Sequence, residues 1–157
     1  MEESMKRCTE CGGAVGAGTA EDTVRVGKAR VVVTYPVRRC GKCGEEYVDG
    51  EVNRRIDLLV AARVAELGEV SGDAFRFARK ALGLRAADLA VLLDVSADTI
   101  SRWERGAVAV DRAALALLAA AAADALDDRT TTLDRLRALA AGKRPTGTLR
   151  LDYVKAS

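Results

Sequence analysis

The chain has 157 residues, 49% of them hydrophobic and 31% charged, which suits one ordinary domain or two small ones and excludes both a large multidomain enzyme and wholesale disorder. It contains no His, which removes Ser-His-Asp triads, Cys-His dyads, imidazole metal ligands and the neutral-pH imidazole switch together. The formal net charge is only +2, so any nucleic-acid function must rest on where cations are placed and not on a global basic field.

The N-terminus, MEESMKRC, carries early acids and no apolar leader, so no secretory signal is expected. The longest apolar run, Ala113 to Ala123, is too short to span a bilayer. These features predict a cytoplasmic protein, in a compartment where four cysteines do not form stable disulfides.

Residues 1–50 predict a small β module. All four cysteines lie before residue 44, and glycine is concentrated around them. Lys28 to Val37 is rich in β-branched residues and reads as a strand, which Thr23 to Val26 can pair with across Gly27-Lys28; Tyr47-Val48 closes the module. Gly12, Gly13, Gly16 and Gly18 are not followed by Lys-Ser/Thr and not preceded by a strand, so they read as knuckle and loop residues, not as a phosphate cradle.

Cys8-x2-Cys11 and Cys40-x2-Cys43 are each followed by glycine. A CxxC turn presents two thiolates to one ion, and the glycine permits the tight backbone beneath it. Two such turns close a tetrahedral four-sulfur site, which predicts one structural Zn2+ held by Cys8, Cys11, Cys40 and Cys43. Iron in the same geometry, disulfides and redox thiols are the alternatives; catalytic zinc is disfavoured because no ligand position is left open. Lys6, Arg7, Arg38, Arg39 and Lys42 can offset the negative centre.

From Glu51 the period turns helical. Val52, Ile56, Leu59, Val60, Val64 and Leu67 predict a joining helix over residues 51–70, with Gly68 as its stop. Residues 71–128 predict an all-α domain: a helix carrying Phe75, Ala78 and Leu82, one carrying Leu89, Ala90 and Leu93, one N-capped by Ser96 and stopped at Gly106, and a long Ala/Leu helix from Asp111 to Leu126. Residues 129–157 predict a further helix, Thr131 to Ala140, then a loop with one strand or arm. The predicted fold is thus mostly α: a small four-cysteine zinc ribbon of β structure, a joining helix and a C-terminal all-α domain.

Residues 75–106 read FRFARKALGLRAADLAVLLDVSADTISRWERG. Ile100 and Trp103 give the last helix an apolar back, while Ala97, Asp98, Ser101 and Arg102 form a small polar front suited to a major groove. Arg102 is the best base reader, toward guanine O6 and N7. With no Gln and only Asn53, adenine reading by amides is excluded, which predicts G·C pairs at the specific positions. Gly72 to Gly106 holds six basic and five acidic residues, so phosphate contacts must come from few side chains, among Arg76, Lys80, Arg85, Arg102 and Arg105. Weak binding by one copy then predicts a two-fold dimer on palindromic double-stranded DNA, for which the Ala-rich helix from Asp111 to Leu126 either supplies close packing or packs within its own domain.

The segment resembles the Xre/Cro-type, lambda-repressor-like helix-turn-helix, with its LAxxLxVSxxTISRWERG hallmark. Placed after the CxxC pairs and the CxxCGE of Cys40 to Glu45, it makes residues 5 to about 126 resemble the MqsA-like antitoxins with a YgiT-type zinc finger. The resemblance implies that Ala97, Asp98, Ser101 and Arg102 face bases and that Arg79 and Glu104 form an ion pair. It further implies a zinc module that binds a toxin, an mRNA interferase by family, and a helix-turn-helix dimer that represses the operon promoter. Two departures stand out. Arg85-Ala86-Ala87 occupies the place of the Ser-Gln that usually opens the second helix, so Arg85 would have to supply the phosphate contact. Asp98 replaces a neutral polar residue and can either accept from cytosine N4 or simply favour the helix N-terminus. A free-standing Xre-type regulator with a structural ribbon and no toxin, and a thiol oxidoreductase, are the competing readings.

Overall fold

A computed structural model describes residues 7–142, 147–148 and 150–153. Lys6, expected beside the cysteines, and much of the loop or arm expected after residue 142 lie outside the described residues.

The chain begins with a long antiparallel hairpin, β1 (Val15–Val26) and β2 (Ala29–Cys40), to which the short β3 (Glu46–Tyr47) adds beside β2, in the order β1-β2-β3. Among the described residues six helices follow: α1 (Gly50–Arg63), α2 (Gly72–Ala81), α3 (Ala86–Leu93), α4 (Ala97–Glu104), α5 (Arg112–Leu126) and α6 (Thr131–Ala140). The fold is mostly helical, with a small N-terminal antiparallel sheet. No helix among the described residues is long and apolar enough to cross a membrane.

The hairpin closes across Gly27-Lys28, with Val26 paired to Ala29. Gly27 has φ +57, the positive value that a two-residue hairpin needs at its first central position. β1 starts at Val15, well before Thr23, so Gly16 and Gly18 lie inside a strand and not in a loop. Their weak strand preference is overridden by pairing: Gly16 stands opposite Arg39 and Gly18 opposite Val37 of the β-branched β2.

Alternation puts Val31, Val33, Tyr35 and Val37 on the inner face and Arg30, Val32, Thr34 and Pro36 on the outer one. At the tip, Val26 and Val33 are buried in the same core as Leu58, Val60 and Val64 of the α1 region and Phe75, Leu89, Ile100, Trp103 and Leu118 beyond it. The tip half of the hairpin therefore belongs to the helical core, while the cysteine end projects from it.

Helix α1 packs on α5 and α2. It ends at Arg63, before Gly68, and its buried face runs through Leu58, Val60 and Ala61, leaving Leu59 and Leu67 exposed. The face expected from periodicity is thus rotated toward the Ala-rich helix. Helix α5 turns Ala114, Leu115, Leu118, Ala119, Ala121 and Ala122 inward, so its alanines serve close packing within one chain. Asp111 caps it by accepting from the Ala114 N–H at 2.8 Å.

Candidate nucleic-acid interface and metal centre

The second and third helices of the predicted motif are α3 and α4. Leu93 ends α3, and Asp94 turns the chain at φ +53, a left-handed position that Asp tolerates better than most residues. Ser96 then caps α4, accepting from Thr99 N–H at 3.0 Å.

The back of α4 is fixed by burial. Ile100 is fully buried, and Trp103 meets Phe75 edge-on with ring centroids 5.3 Å apart. Behind it, Arg79 reaches both carboxylate oxygens of Glu104, at 2.6 and 3.1 Å, and donates to the Leu84 carbonyl at 2.7 Å. The ion pair implied by the family resemblance is present, with both side chains nearly nine-tenths covered. It ties α2 to the end of α4 and to the turn before α3, so it sets the angle of α4. Gly72 has the same effect: a β-carbon there would collide with the Trp103 and Glu104 carbonyls, so only glycine lets α2 start this close to the end of α4.

The front is open. Ala97, Asp98 and Arg102 are exposed and Ser101 is half-buried, all on the side opposite Ile100 and Trp103. Among the described residues the Arg102 guanidinium makes no hydrogen bond or ion pair, which leaves its fork available. Arg105 is also exposed, and its Nε donates to the Ser101 carbonyl at 3.3 Å. Arg85 is engaged: Asp88 takes its Nε at 2.7 Å and its Nη2 at 2.8 Å, and this pairing raises the Arg85 pKa and lowers that of Asp88. A phosphate would have to compete with Asp88 for that guanidinium. Helix α3 has no side-chain cap at Arg85, as the absence of the usual Ser implies.

At the far end of the hairpin, two turns of matching design face each other. The Cys8 N–H donates to Gly13 O and the Cys40 N–H to Glu45 O; Gly12 N–H returns to Cys8 O and Gly44 N–H to Cys40 O. Gly12 and Gly44 both have positive φ, +69 and +79. The pairs Arg7–Ala14 and Arg39–Glu46 extend each turn as a bridge.

The four sulfurs lie within 4.8 Å of one another, with Cys8–Cys43 and Cys11–Cys40 both at 3.5 Å. A tetrahedral ion with metal–sulfur bonds of about 2.3 Å spaces its ligands by roughly 3.8 Å, so the cluster can hold one metal ion. The Lys42 N–H points at Cys40 Sγ from 3.4 Å.

Tyr47 is a residue whose role was not legible in the sequence. Its hydroxyl lies 3.1 Å from Cys8 Sγ, accepts the Thr9 N–H at 3.1 Å and meets Thr9 Oγ1 at 3.0 Å. The hydrogen bond to Cys8 is the main cause that pulls the Cys8 thiol down to about 6. The Glu45 N–H favours the Cys43 thiolate, but the Cys11 sulfur, desolvation and the sulfurs of Cys8 and Cys40 outweigh it and push Cys43 up to about 12. Four thiolates this close need a cation to neutralise them. Tyr47 holds the Cys8 sulfur from behind, the place taken by residues that bond to a metal's ligand. The i, i+3 cysteine spacing that reveals the ligands carries no signal for a tyrosine donated by β3.

A helix-turn-helix domain family matches residues 72–133, less than half of the 157-residue chain. No curated protein and no solved structure matches the chain. The match spans α2 to the start of α6 and coincides with the capped, ion-paired arrangement around α4. The chain therefore carries a helix-turn-helix domain of the kind found in DNA-binding regulators, together with a four-cysteine cluster able to hold a metal ion.

Proposed function

We propose that the chain is a sequence-specific, DNA-binding transcriptional repressor that acts as the antitoxin of a toxin–antitoxin pair. The observation that carries the DNA-reading part is the open front of α4, where Arg102 has no partner among the described residues. In this reading Arg102 takes guanine O6 and N7, Ala97, Asp98 and Ser101 line the same groove, and Arg105 and Arg85 reach phosphates, Arg85 by exchange with Asp88. Cys8, Cys11, Cys40 and Cys43 hold one structural zinc ion, whose role when bound is to fix the two turns against each other. A homodimer through the C-terminal domain reads a palindromic operator, and the protein works in the cytoplasm on chromosomal DNA. It is not an enzyme in this reading.

The antitoxin part rests on the sequence resemblance and on the projecting cysteine end, which stands clear of the helical core and leaves room for a protein partner, an mRNA interferase by resemblance. The test is purification of the tagged chain from its host. A small stoichiometric companion that is toxic when expressed alone supports the antitoxin reading; recovery of the chain with DNA only overturns it.

One observation favours the second reading, a free-standing regulator of the Xre type. The hairpin tip is built into the same core as the helices, so the ribbon has structural work to do even without a toxin.

A further inference from the structure

We infer that the hairpin tip is a second DNA-contacting element, in which Arg25, Lys28 and Arg30 bind backbone phosphate beyond the C-terminal end of α4. The inference rests on the reading of α4 as the groove helix.

Register comes first. Arg25 stands directly opposite Arg30 on the outer face, one step from the turn, and Lys28 is in the turn itself. Val26 and Ala29 flank a two-residue turn and form a hydrogen-bonded pair, which makes Arg25–Arg30 the closer, non-hydrogen-bonded kind. Like charges directly opposite each other weaken a hairpin. All three residues are exposed, and none of their side chains has an ion pair or hydrogen bond among the described residues. Three cations are therefore held together without an ion pair among the described residues; the acid on their own face, Glu21, stands four residues back along β1, opposite Thr34.

Placement comes second. The Lys28 N–H donates to Glu69 Oε1 at 3.4 Å, and a β-carbon on Gly27 would lie 2.9 Å from Ser71 Oγ. Ser71 caps α2, and the next residue, Gly72, lies against the Trp103 and Glu104 carbonyls that end α4. The tip is thus seated, through Ser71 and Gly72, beside the end of the groove helix. Eight residues make α4 about 12 Å long, close to the roughly 12 Å width of a major groove. A groove helix brings its N-terminal residues to the base edges, so groups beside the C-terminal end of α4 are placed toward backbone phosphate and not over bases. Glu69 meets the turn's backbone, through the Lys28 N–H, and forms no ion pair with Arg25, Lys28 or Arg30 among the described residues.

Phosphate contact is sequence-independent, so the test needs no operator. Binding of the full chain to a mixed-sequence 30-base-pair duplex (about three helical turns) is measured across a salt series. The comparison is with the Arg25→Ala/Lys28→Ala/Arg30→Ala chain and with an Arg54→Ala/Arg63→Ala/Arg135→Ala control of equal charge change. The slope of log K against log salt should become shallower by about 0.9 for each phosphate no longer neutralised, up to roughly 2.7, in the tip variant only. A charge-retaining Arg25→Lys/Arg30→Lys chain should keep the original slope, which separates removal of the cations from misfolding. An unchanged slope in the tip variant, or an equal change in the control, overturns the inference and leaves the groove reading standing. Failure of the unmodified chain to bind duplex at low salt overturns both.

Discussion

Gly27, at the hairpin tip, lies against Glu69, in the segment between α1 and α2, so closely that a β-carbon at position 27 would overlap the Glu69 carboxylate. Together with φ +57 at Gly27, this contact makes the turn both a chain reversal and a docking point. Gly27→Ala should cost about 1–2 kcal/mol from the left-handed backbone alone, which lowers Tm by roughly 2–8 °C in a chain of this size. Thermal unfolding followed by circular dichroism measures it. An unchanged Tm would mean that neither the positive φ nor the contact with Glu69 constrains position 27.

The Arg79–Glu104 pair makes a sharper prediction. Removing one partner strands the other where little water reaches it, so Arg79→Ala should destabilise by about 3–5 kcal/mol. Replacing both with apolar residues of similar volume should cost much less. Chemical denaturation of the single and double variants decides this, and additive losses would show that the two residues do not act as a pair. DNA affinity should fall in both, because the angle of α4 changes.

Metal and protons compete for the cysteine sulfurs. The Cys8 thiol, near 6, is mostly ionised at neutral pH, whereas Cys43, near 12, gives up its proton only to a metal. Affinity should therefore rise with pH between about 6 and 8 and fall on acidification, with proton release on binding. Titration of zinc against a chelating dye at several pH values measures this. Tyr47→Phe removes the hydrogen bond to Cys8 and should weaken binding by about 10- to 100-fold. Cys40→Ser should loosen the two turns while the tip, held by Val26 and Val33, stays in the core.

Much of this was legible in residue order. The CxxC pairs point to the four sulfurs that the fold clusters, Ser96 and Asp111 sit where helices start, and α6 runs over the span its sequence predicts. Local chemistry sets these features. The first half of β1 was not legible, because Gly16, Ala17 and Gly18 have little strand preference and are extended only through pairing with β2. Nor was the docking of Gly27 on Glu69 and Ser71, or of Tyr47 on Cys8, since each joins residues more than 35 positions apart. The buried face of α1 departs from its periodic reading because its apolar residues cover more than one side, and α5 decides which side is buried.

Arg102 carries the central claim. Selection of duplexes from a random pool by the full chain, followed by affinity measurement on the enriched site with the unmodified and Arg102→Ala chains, tests it most directly. The account predicts enriched G·C positions and a loss of about 1–3 kcal/mol on that site with little loss on random duplex. Equal losses on both would make Arg102 a phosphate contact, and no enrichment at all would contradict sequence reading by α4.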